Sequence, residues 1–269
     1  MSRRICRRDG RPHCRQRAFC LIILSMINVE SVTRRFGNLT AVDEVSFAIE
    51  RNEIVGFVGP NGAGKSTMLK MLSTFILPTT GKIEIDGLDA VEQSLAVRRR
   101  IGYLAGDTPL YREMRVDKFL RFIGEARGLR NAELKQGFAR AVEICDLESV
   151  LLQRIDHCST GFRQRIGLAT ALIHDPPILL LDEPTHGFDP LQVLAFRDML
   201  RRLKEDRAIL FSTHIVADVE AVSDRVLIIN EGRLLGNGRI DELAETAGLP
   251  GTGLEEIFAH LVRVEEPHA

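Results

Sequence analysis

Long apolar runs are absent from this sequence of 269 residues. A helix that crosses a bilayer needs about 20 consecutive, mostly apolar residues, and no segment here approaches that length. We therefore expect no membrane-spanning helix, so any role at a membrane must depend on a partner. Internal repeats and low-complexity segments are lacking as well, which excludes a solenoid or repeat architecture.

The sequence also lacks an excess of one charge and a set of cysteines spaced for disulfides. Because the formal net charge is only −1, the chain has no overall excess of basic residues, and we expect no nucleic-acid partner. The five cysteines have neither metal-site nor paired spacing, a pattern typical of reduced thiols in a cytosolic protein. A hydrophobic content of 45% is ample for a globular core.

Residues 1–25 differ in composition from the rest of the chain. They contain seven arginines and one aspartate, and their apolar run at 18–24 is too short for a secretory signal and lacks a cleavage site. We predict a disordered extension, or a start codon assigned too far upstream of Met26. A basic arm that binds phospholipid or nucleic acid is the alternative.

A glycine-rich motif follows a short apolar run at 54–58. The motif consists of Gly59, Pro60, Asn61, Gly62, Ala63, Gly64, Lys65, Ser66 and Thr67. After the motif come five apolar residues at helical spacing, Met68, Leu69, Leu72, Phe75 and Ile76. The loop N–H groups and a helix N-terminus can surround phosphate oxygens, Lys65 can reach the β- and γ-phosphates, and Ser66 can ligate Mg2+. The motif predicts a site for ATP or GTP.

The β patterns indicate two kinds of sheet. Short runs at 27–32, 42–49 and 54–58 predict a small antiparallel sheet beside the nucleotide, and the alternating segment at 81–87 is expected to join it. Continuous apolar runs fit strands buried on both faces of a mainly parallel sheet, and they lie at 178–181 and 208–211, with a further strand at 226–229.

Helical patterns occupy two further regions. Apolar residues at helical spacing within 115–157 predict a helical insert, and those within 254–261 mark a final amphipathic helix. The pattern as a whole predicts an α/β fold.

Two carboxylates, Asp182 and Glu183, end the apolar run at 178–181. Side chains at the carboxyl end of a buried parallel strand emerge toward a ligand. Asp182 can therefore hold Mg2+, directly or through water, and Glu183 can polarise the water that attacks a γ-phosphate.

A second helix start follows the insert at Ser159, Thr160 and Gly161. Ser159 is predicted to be its N-cap, which leaves N–H groups and the positive end of the helix dipole facing outward. By itself this pattern equally describes an ordinary capped helix without a ligand.

Taken together and in this order, the motifs resemble those of the ATP-binding subunits of ABC transporters, over essentially the whole chain from Met26. In that resemblance, 59–67 is the Walker A motif, Ser159 to Gly161 is the signature, and Asp182 with Glu183 is Walker B with the catalytic glutamate. Phe36 falls at the adenine-stacking aromatic, Asp189 in the D-loop, and His214 at the switch histidine.

The resemblance implies a P-loop NTPase core with a mainly parallel sheet, an antiparallel β subdomain and a helical signature subdomain. It places the ATP-binding domain at 26–247, with its helical insert at about 107–165, before a C-terminal helix within 248–269. It also implies a dimer in which each ATP lies between one Walker A motif and the opposing signature. The nucleotide would contact Phe36, 59–67, Ser159, Thr160, Gly161 and Asp189, while Ser66 and Asp182 hold Mg2+ and Glu183 and His214 are catalytic.

Two motifs depart from the family's usual residues. Gly106 stands where the Q-loop glutamine is expected, and Asp107 or a water molecule would have to replace its contacts. Thr160 replaces a signature glycine, and Phe162 replaces the terminal glutamine. Both departures resemble the branch of these subunits that serves exporters, including sodium-extruding ones.

We therefore expect a cytoplasmic ATPase, peripheral at the inner face of the cell membrane. It would dimerise with itself or a similar subunit on MgATP and drive a separate transmembrane permease, in the direction of export. One alternative is an ABC ATPase that acts on ribosomes or DNA, and another is a small-molecule kinase that uses the same phosphate loop. The cargo and the permease are not encoded in this sequence.

Overall fold

The computed structural model describes residues 25–265. The strands in this part of the chain are β1 (Ser25–Phe36), β2 (Leu39–Glu50), β3 (Glu53–Val58), β4 (Thr80–Ile85), β5 (Leu88–Asp89), β6 (Ile101–Leu104), β7 (Ile178–Asp182), β8 (Ala208–Thr213), β9 (Arg225–Asn230) and β10 (Arg233–Gly238). The helices are α1 (Lys65–Leu72), α2 (Ser94–Arg100), α3 (Val116–Ala126), α4 (Asn131–Ile144), α5 (Thr160–Leu172), α6 (Pro190–Leu203), α7 (Val216–Val222), α8 (Ile240–Thr246) and α9 (Leu254–Glu265). The expectations for the basic N-terminal segment fall on residues outside the described range, apart from Ser25, which opens β1.

The central layer is a six-stranded sheet in the order β10-β9-β3-β8-β7-β6. Its neighbouring strands are parallel except for β10, which pairs antiparallel with β9 at one edge. Every residue of β7 and β8 is buried, as their continuous apolar runs predict. The predicted α/β fold with a mainly parallel sheet is confirmed.

A second sheet has four antiparallel strands in the order β2-β1-β4-β5. Val29 of β1 lies between Phe47 of β2 and Ile83 of β4, which gives this sheet one apolar face. The predicted antiparallel sheet and the place of β4 in it are confirmed. The assignment of the run at 54–58 to this sheet is wrong, because β3 pairs in parallel with β8 and β9.

Two hydrophobic cores lie on opposite faces of the parallel sheet. Ile178 and Leu180 of β7 face a core that contains α1 and the antiparallel sheet, whereas Leu179 and Leu181 face a core formed with the helices. Since successive strand residues point to opposite faces, one short strand contributes to both cores. Each fully buried leucine of this kind stabilises the fold by about 1.5–3 kcal/mol.

Helices α3, α4 and α5 form the helical part of the molecule. Their buried faces carry Val116, Phe119, Ala141 and Ile166, which belong to one core cluster. The predicted helical character of 115–157 is confirmed by α3, α4 and two short 3-10 turns.

Helix α1 is shorter than its apolar pattern predicts. It ends at Leu72, and Thr74 then adopts a left-handed backbone with φ of 60°. Phe75, counted in the helical pattern, is 75% exposed, so the expectation that helical spacing continues to Phe75 and Ile76 is wrong. Met68 and Met71 are buried core residues of α1.

The C-terminal helix predicted from its amphipathic pattern is α9, which buries Leu254 and Ile257. Between residues 25 and 265, no helix is both long enough and apolar enough to cross a membrane.

Candidate nucleotide site

The glycine-rich loop joins β3 to α1 and lies tightly against two other strands. A side chain at Gly64 would collide with the carbonyl of Ala41 in β2, and one at Gly59 would collide with the carbonyl of Ile229 in β9. Gly64 also has φ of 107°, a backbone that residues with a side chain rarely adopt. Steric contact therefore requires glycine at both positions, and the backbone conformation requires it at Gly64 as well.

Lys65 is the first residue of α1 and is only 6% exposed. Its ammonium group donates to the carbonyls of Gly59 at 2.6 Å and Pro60 at 3.0 Å. Burial lowers the pKa of Lys65, and the carboxylates of Glu183 and Asp182 oppose that shift. A lysine ammonium has three donors, so the loop carbonyls leave one N–H for a phosphate oxygen. The loop and its lysine fit a nucleotide triphosphate.

The carboxylate of Asp182 lies at the carboxyl end of β7 and meets two hydroxyl groups. Ser66 Oγ donates to Asp182 Oδ1 at 3.0 Å, and Ser212 Oγ donates to the same oxygen at 2.6 Å. The remaining oxygen, Oδ2, faces Gly106, where an added Cβ would lie 3.7 Å away. The hydroxyl of Ser66 and the carboxylate of Asp182 are thus adjacent oxygen ligands.

These oxygens suit Mg2+, which is usually bound by one or two protein oxygens together with waters and substrate phosphates. Within residues 25–265, no cluster of three or more His, Cys, Asp or Glu side chains could hold a metal ion on its own. A metal at Ser66 and Asp182 would therefore complete its coordination with phosphate oxygens and water.

Glu183 follows β7 with a left-handed backbone, φ 48°. Its N–H is held by the carbonyl of Ser212 at 3.1 Å, and its carboxylate Oε2 lies 3.0 Å from Nδ1 of His214. Because an ionised carboxylate can only accept, Nδ1 is the donor when Glu183 is charged. A carboxylate held in this way can polarise a water molecule for attack on a phosphate.

A cavity of about 910 Å³ opens beside these residues. Ser66, Asp182 and Glu183 line its polar end, and Asp107 is also among the lining residues. The rest of the lining is mainly apolar and includes residues of α3 and β6, among them Phe119. Gly106 and Asp107 both line this cavity, and the replacement of the Q-loop glutamine's contacts by Asp107 or a water molecule stays a prediction.

The capped end of α5, at Ser159, does not line this cavity. Ser159 is the N-cap, as predicted, and its Oγ accepts from the N–H of Phe162 at 3.2 Å. Ser159 and Thr160 are exposed, whereas Gly161 is buried against Gln192. None of the three lines the cavity that holds Ser66 and Asp182.

Two further predicted contacts lie at the surface. Phe36 is 45% exposed at the end of β1, with the guanidinium of Arg34 at 4.4 Å from its ring centre. Asp189 is the N-cap of α6, where its carboxylate accepts from the N–H of Gln192 at 2.9 Å. The side chain of Asp189 therefore has a structural partner in its own chain, and the predicted nucleotide contacts of both residues stay predictions.

The site also contains two residues that no sequence motif predicts. Ser212 is buried and lies directly opposite Asp182 in the β7–β8 register. In the sequence, the one feature that could have identified Ser212 is its hydroxyl group at the end of an apolar strand. Gln164 on α5 donates to two backbone carbonyls in the turn after β7. No local sequence pattern marks that glutamine, because its partners come from a distant segment.

The parallel sheet, the glycine-rich loop ahead of α1 and the carboxylates at the end of β7 together define a P-loop nucleoside triphosphatase. Residues 42–186 match the protein family described as ABC transporter. The chain belongs to this family.

Curated relatives and solved structures agree with this assignment. The ABC transporter ATP-binding protein NatA of Bacillus subtilis (strain 168) is 39% identical over 227 residues, which cover 82% of this chain and 92% of NatA. The daunorubicin resistance ATP-binding protein DrrA3 of Streptomyces coeruleorubidus is 34% identical over 224 residues, which cover 82% of this chain and 71% of DrrA3. The ATP-binding cassette MJ0796, solved as a post-hydrolysis dimer bound to ADP and Pi, has a TM-score of 0.72 at 25% identity, with 80% of this chain and 98% of that chain covered.

The chain is therefore an ATP-binding subunit of an ABC transporter and hydrolyses ATP. The relatives are named as transporter and drug-resistance ATP-binding proteins, which does not favour the alternative of a ribosome or DNA ATPase.

Proposed function

We propose that two ATP molecules join this chain head to tail to a second copy, or to a similar subunit. Lys65 and the loop at 59–67 of one protomer hold the triphosphate, and Ser159, Thr160 and Gly161 of the other cover its γ-phosphate. Phe36 stacks on the adenine, and Asp189 lies near the nucleotide at the interface. The dimeric state of the cassette MJ0796 supports this arrangement.

The observation that carries the proposal is the separation of two half-sites on one chain. Ser66, Asp182 and Glu183 line one cavity, whereas the capped end of α5 is exposed and lines no part of it. A capped helix end presents N–H groups and a partial positive charge that attract a phosphate. An exposed helix end of this kind is suited to a nucleotide held by another protomer.

Hydrolysis at this site follows from the contacts around β7. Ser66 and Asp182 would hold Mg2+, which would supply positive charge to neutralise the phosphate oxygens. Glu183 orients and polarises the attacking water, and His214 holds the carboxylate of Glu183 in place. The ammonium of Lys65 stabilises the negative charge that develops on the transferred phosphoryl group.

We further propose that the dimer drives a separate transmembrane permease from the cytoplasmic face of the cell membrane. The names of the relatives support a transporter role, and the drug resistance protein DrrA3 supports export as the direction. Formation and loss of the ATP-bridged dimer would supply the mechanical cycle, since a ligand that binds only the closed state stabilises that state.

A Glu183→Gln variant tests the dimer. The amide keeps the shape of the side chain but cannot act as a base, so ATP should bind and remain intact. Light scattering with MgATP should report a dimer, and EDTA or an added Lys65→Ala change should return it to monomer. A monomer carrying bound MgATP would contradict the proposal.

Co-purification tests the permease. Affinity capture of the tagged full chain from membranes of its own cells should recover an integral membrane subunit when ATP is present. Recovery of ribosomes or DNA in place of a membrane protein would refute this part of the proposal.

A further inference from the structure

The start of α5 and the turn after β7 are bonded to each other within one chain. Gln164 lies on α5, five residues beyond the N-cap Ser159. Its Nε2 donates to the carbonyl oxygens of Glu183 at 3.3 Å and Pro184 at 3.2 Å. One side-chain amide therefore connects the helix that carries the signature residues to the backbone of the catalytic glutamate.

Two close contacts reinforce this connection. A Cβ added at Gly187, in the turn after β7, would lie 2.6 Å from Cγ2 of Thr160, and one added at Gly161 would lie 2.5 Å from Oε1 of Gln192. The methyl group of Thr160, at the start of α5, therefore packs directly on the turn at Gly187, while Gly161 packs on Gln192 of α6. A shift of the α5 end towards the turn would press on Gly187 through Thr160.

The backbone of Glu183 is the part of this turn that such a shift would change. Its φ of 48° costs of order 1 kcal/mol or more for a residue with a side chain, so neighbouring contacts must hold it. Ser212 accepts from its N–H, and its carbonyl accepts from Gln164 and from the N–H of His186. Among these partners, Gln164 is the one that lies on the signature helix.

We propose that Gln164 is a positioning residue that couples the two ATP sites of the dimer. This inference rests on the proposed dimer, in which the end of α5 contacts the nucleotide held by the other protomer. When that nucleotide draws the end of α5 into place, Gln164 fixes the Glu183 carbonyl and thereby aims the Glu183 carboxylate at the water in its own site. Each protomer then hydrolyses its ATP efficiently only when its neighbour's site is filled.

The test compares turnover per site in dilute and concentrated protein. In the unchanged chain, turnover should rise with protein concentration as ATP-bound dimers form. Gln164→Met keeps the length and packing of the side chain but removes the donor, and Gln164→Glu removes it isosterically. In either variant, the increase in turnover per site with protein concentration should be about tenfold smaller than in the unchanged chain. A tenfold effect is about the size expected for hydrogen bonds of ordinary strength.

Three readouts separate coupling from a general structural defect. ATP affinity by calorimetry and dimer formation in a Glu183→Gln background should be unchanged by either substitution, and the melting temperature should fall by no more than about 5 °C, as the loss of one hydrogen-bond donor requires. Gln136→Glu, on the exposed surface of α4, is the matched control and should leave the rise in turnover intact.

The outcomes distinguish the inference from the function on which it rests. If turnover of the unchanged chain does not rise with concentration and no dimer forms, the proposed dimer is refuted and this inference with it. If turnover rises equally in the unchanged chain and in both Gln164 variants, the coupling role is overturned while the dimer stands. Loss of turnover through weaker ATP binding alone would also overturn it.

Discussion

Glu183 and His214 meet side chain to side chain, with Oε2 and Nδ1 3.0 Å apart. They come from the ends of adjacent parallel strands, β7 and β8, whose carboxyl ends share one edge of the sheet. The position of the Glu183 carboxylate is therefore set by a side chain as well as by its own backbone.

His214→Ala removes this contact and tests its contribution to catalysis. We expect kcat for ATP hydrolysis to fall by at least about tenfold, since the carboxylate loses its orienting donor, with smaller change in ATP affinity. Phosphate release under saturating MgATP measures the effect. His157→Ala, at an exposed histidine outside the cavity, serves as the control and should retain full turnover. Unaltered kcat in His214→Ala would remove the histidine from the mechanism.

Lys65→Ala should abolish measurable nucleotide affinity. The substitution deletes the buried ammonium group and leaves the carbonyls of Gly59 and Pro60 without their donor. Titration calorimetry with MgATP should detect no binding at concentrations that saturate the unchanged chain. Lys118→Ala, on the surface of α3 outside the cavity, is the matched control and should bind normally.

Gly64→Ala should lower the stability of the fold, whereas Gly106→Ala should leave it nearly unchanged. The first places a side chain at φ of 107° against the Ala41 carbonyl, and we expect a loss of about 1–3 kcal/mol in unfolding free energy together with weaker ATP binding. The second adds a methyl group where the nearest atom is 3.7 Å away, so stability should change little. Urea denaturation of both variants makes the comparison. Equal stability of the two would contradict the steric argument.

His174 should make the fold less stable in mild acid. Burial, aided by the charge of Arg127, lowers the pKa of His174 from 6.5 to about 4. Between these values the unfolded chain binds more protons than the folded one, so stability is lost as pH falls from about 6.5 towards 4.

The variant His174→Gln isolates this effect and keeps a donor for the Ile101 carbonyl, which Nε2 of His174 approaches at 3.1 Å. At pH 5 the unchanged chain should have lost about 2 kcal/mol more unfolding free energy than the variant, relative to its value near neutral pH. Urea denaturation at the two pH values provides the measurement. Parallel losses in both proteins would show that His174 does not titrate as its burial requires.

Thr185→Val should destabilise the turn that follows Glu183. Thr185 Oγ1 donates to Asp218 Oδ2 at 2.9 Å, and Asp218 is 4% exposed and pairs with Arg197 at 2.7 Å. Valine fills the same volume without a donor, so we expect a loss of about 1–3 kcal/mol in unfolding free energy. Thr246→Val, at an exposed threonine that ends α8, controls for the change of side chain. A neutral Thr185→Val would mean that Arg197 alone satisfies Asp218.

The sequence identifies features whose cause is local. The continuous apolar runs of β7 and β8 reflect burial on both faces, and the glycine-rich motif reflects a loop whose backbone admits few other residues. It cannot assign β3 to a sheet, because that depends on pairing with β8, far along the chain. The contacts of Gln164 could not be predicted for the same reason, because the two carbonyls that it binds are brought near only by the packing of α5.

The strand β7 contributes alternate side chains to both hydrophobic cores, and this packing fixes the position of the carboxylates at its carboxyl end. Sliding or tilting β7 would open voids on both faces of the sheet at once, so the packing of Ile178 to Leu181 holds the adjacent Asp182 in place. In the proposed dimer, the second subunit would complete a site whose carboxylates are already held by the sheet, so closure of the site requires no deformation of the sheet itself.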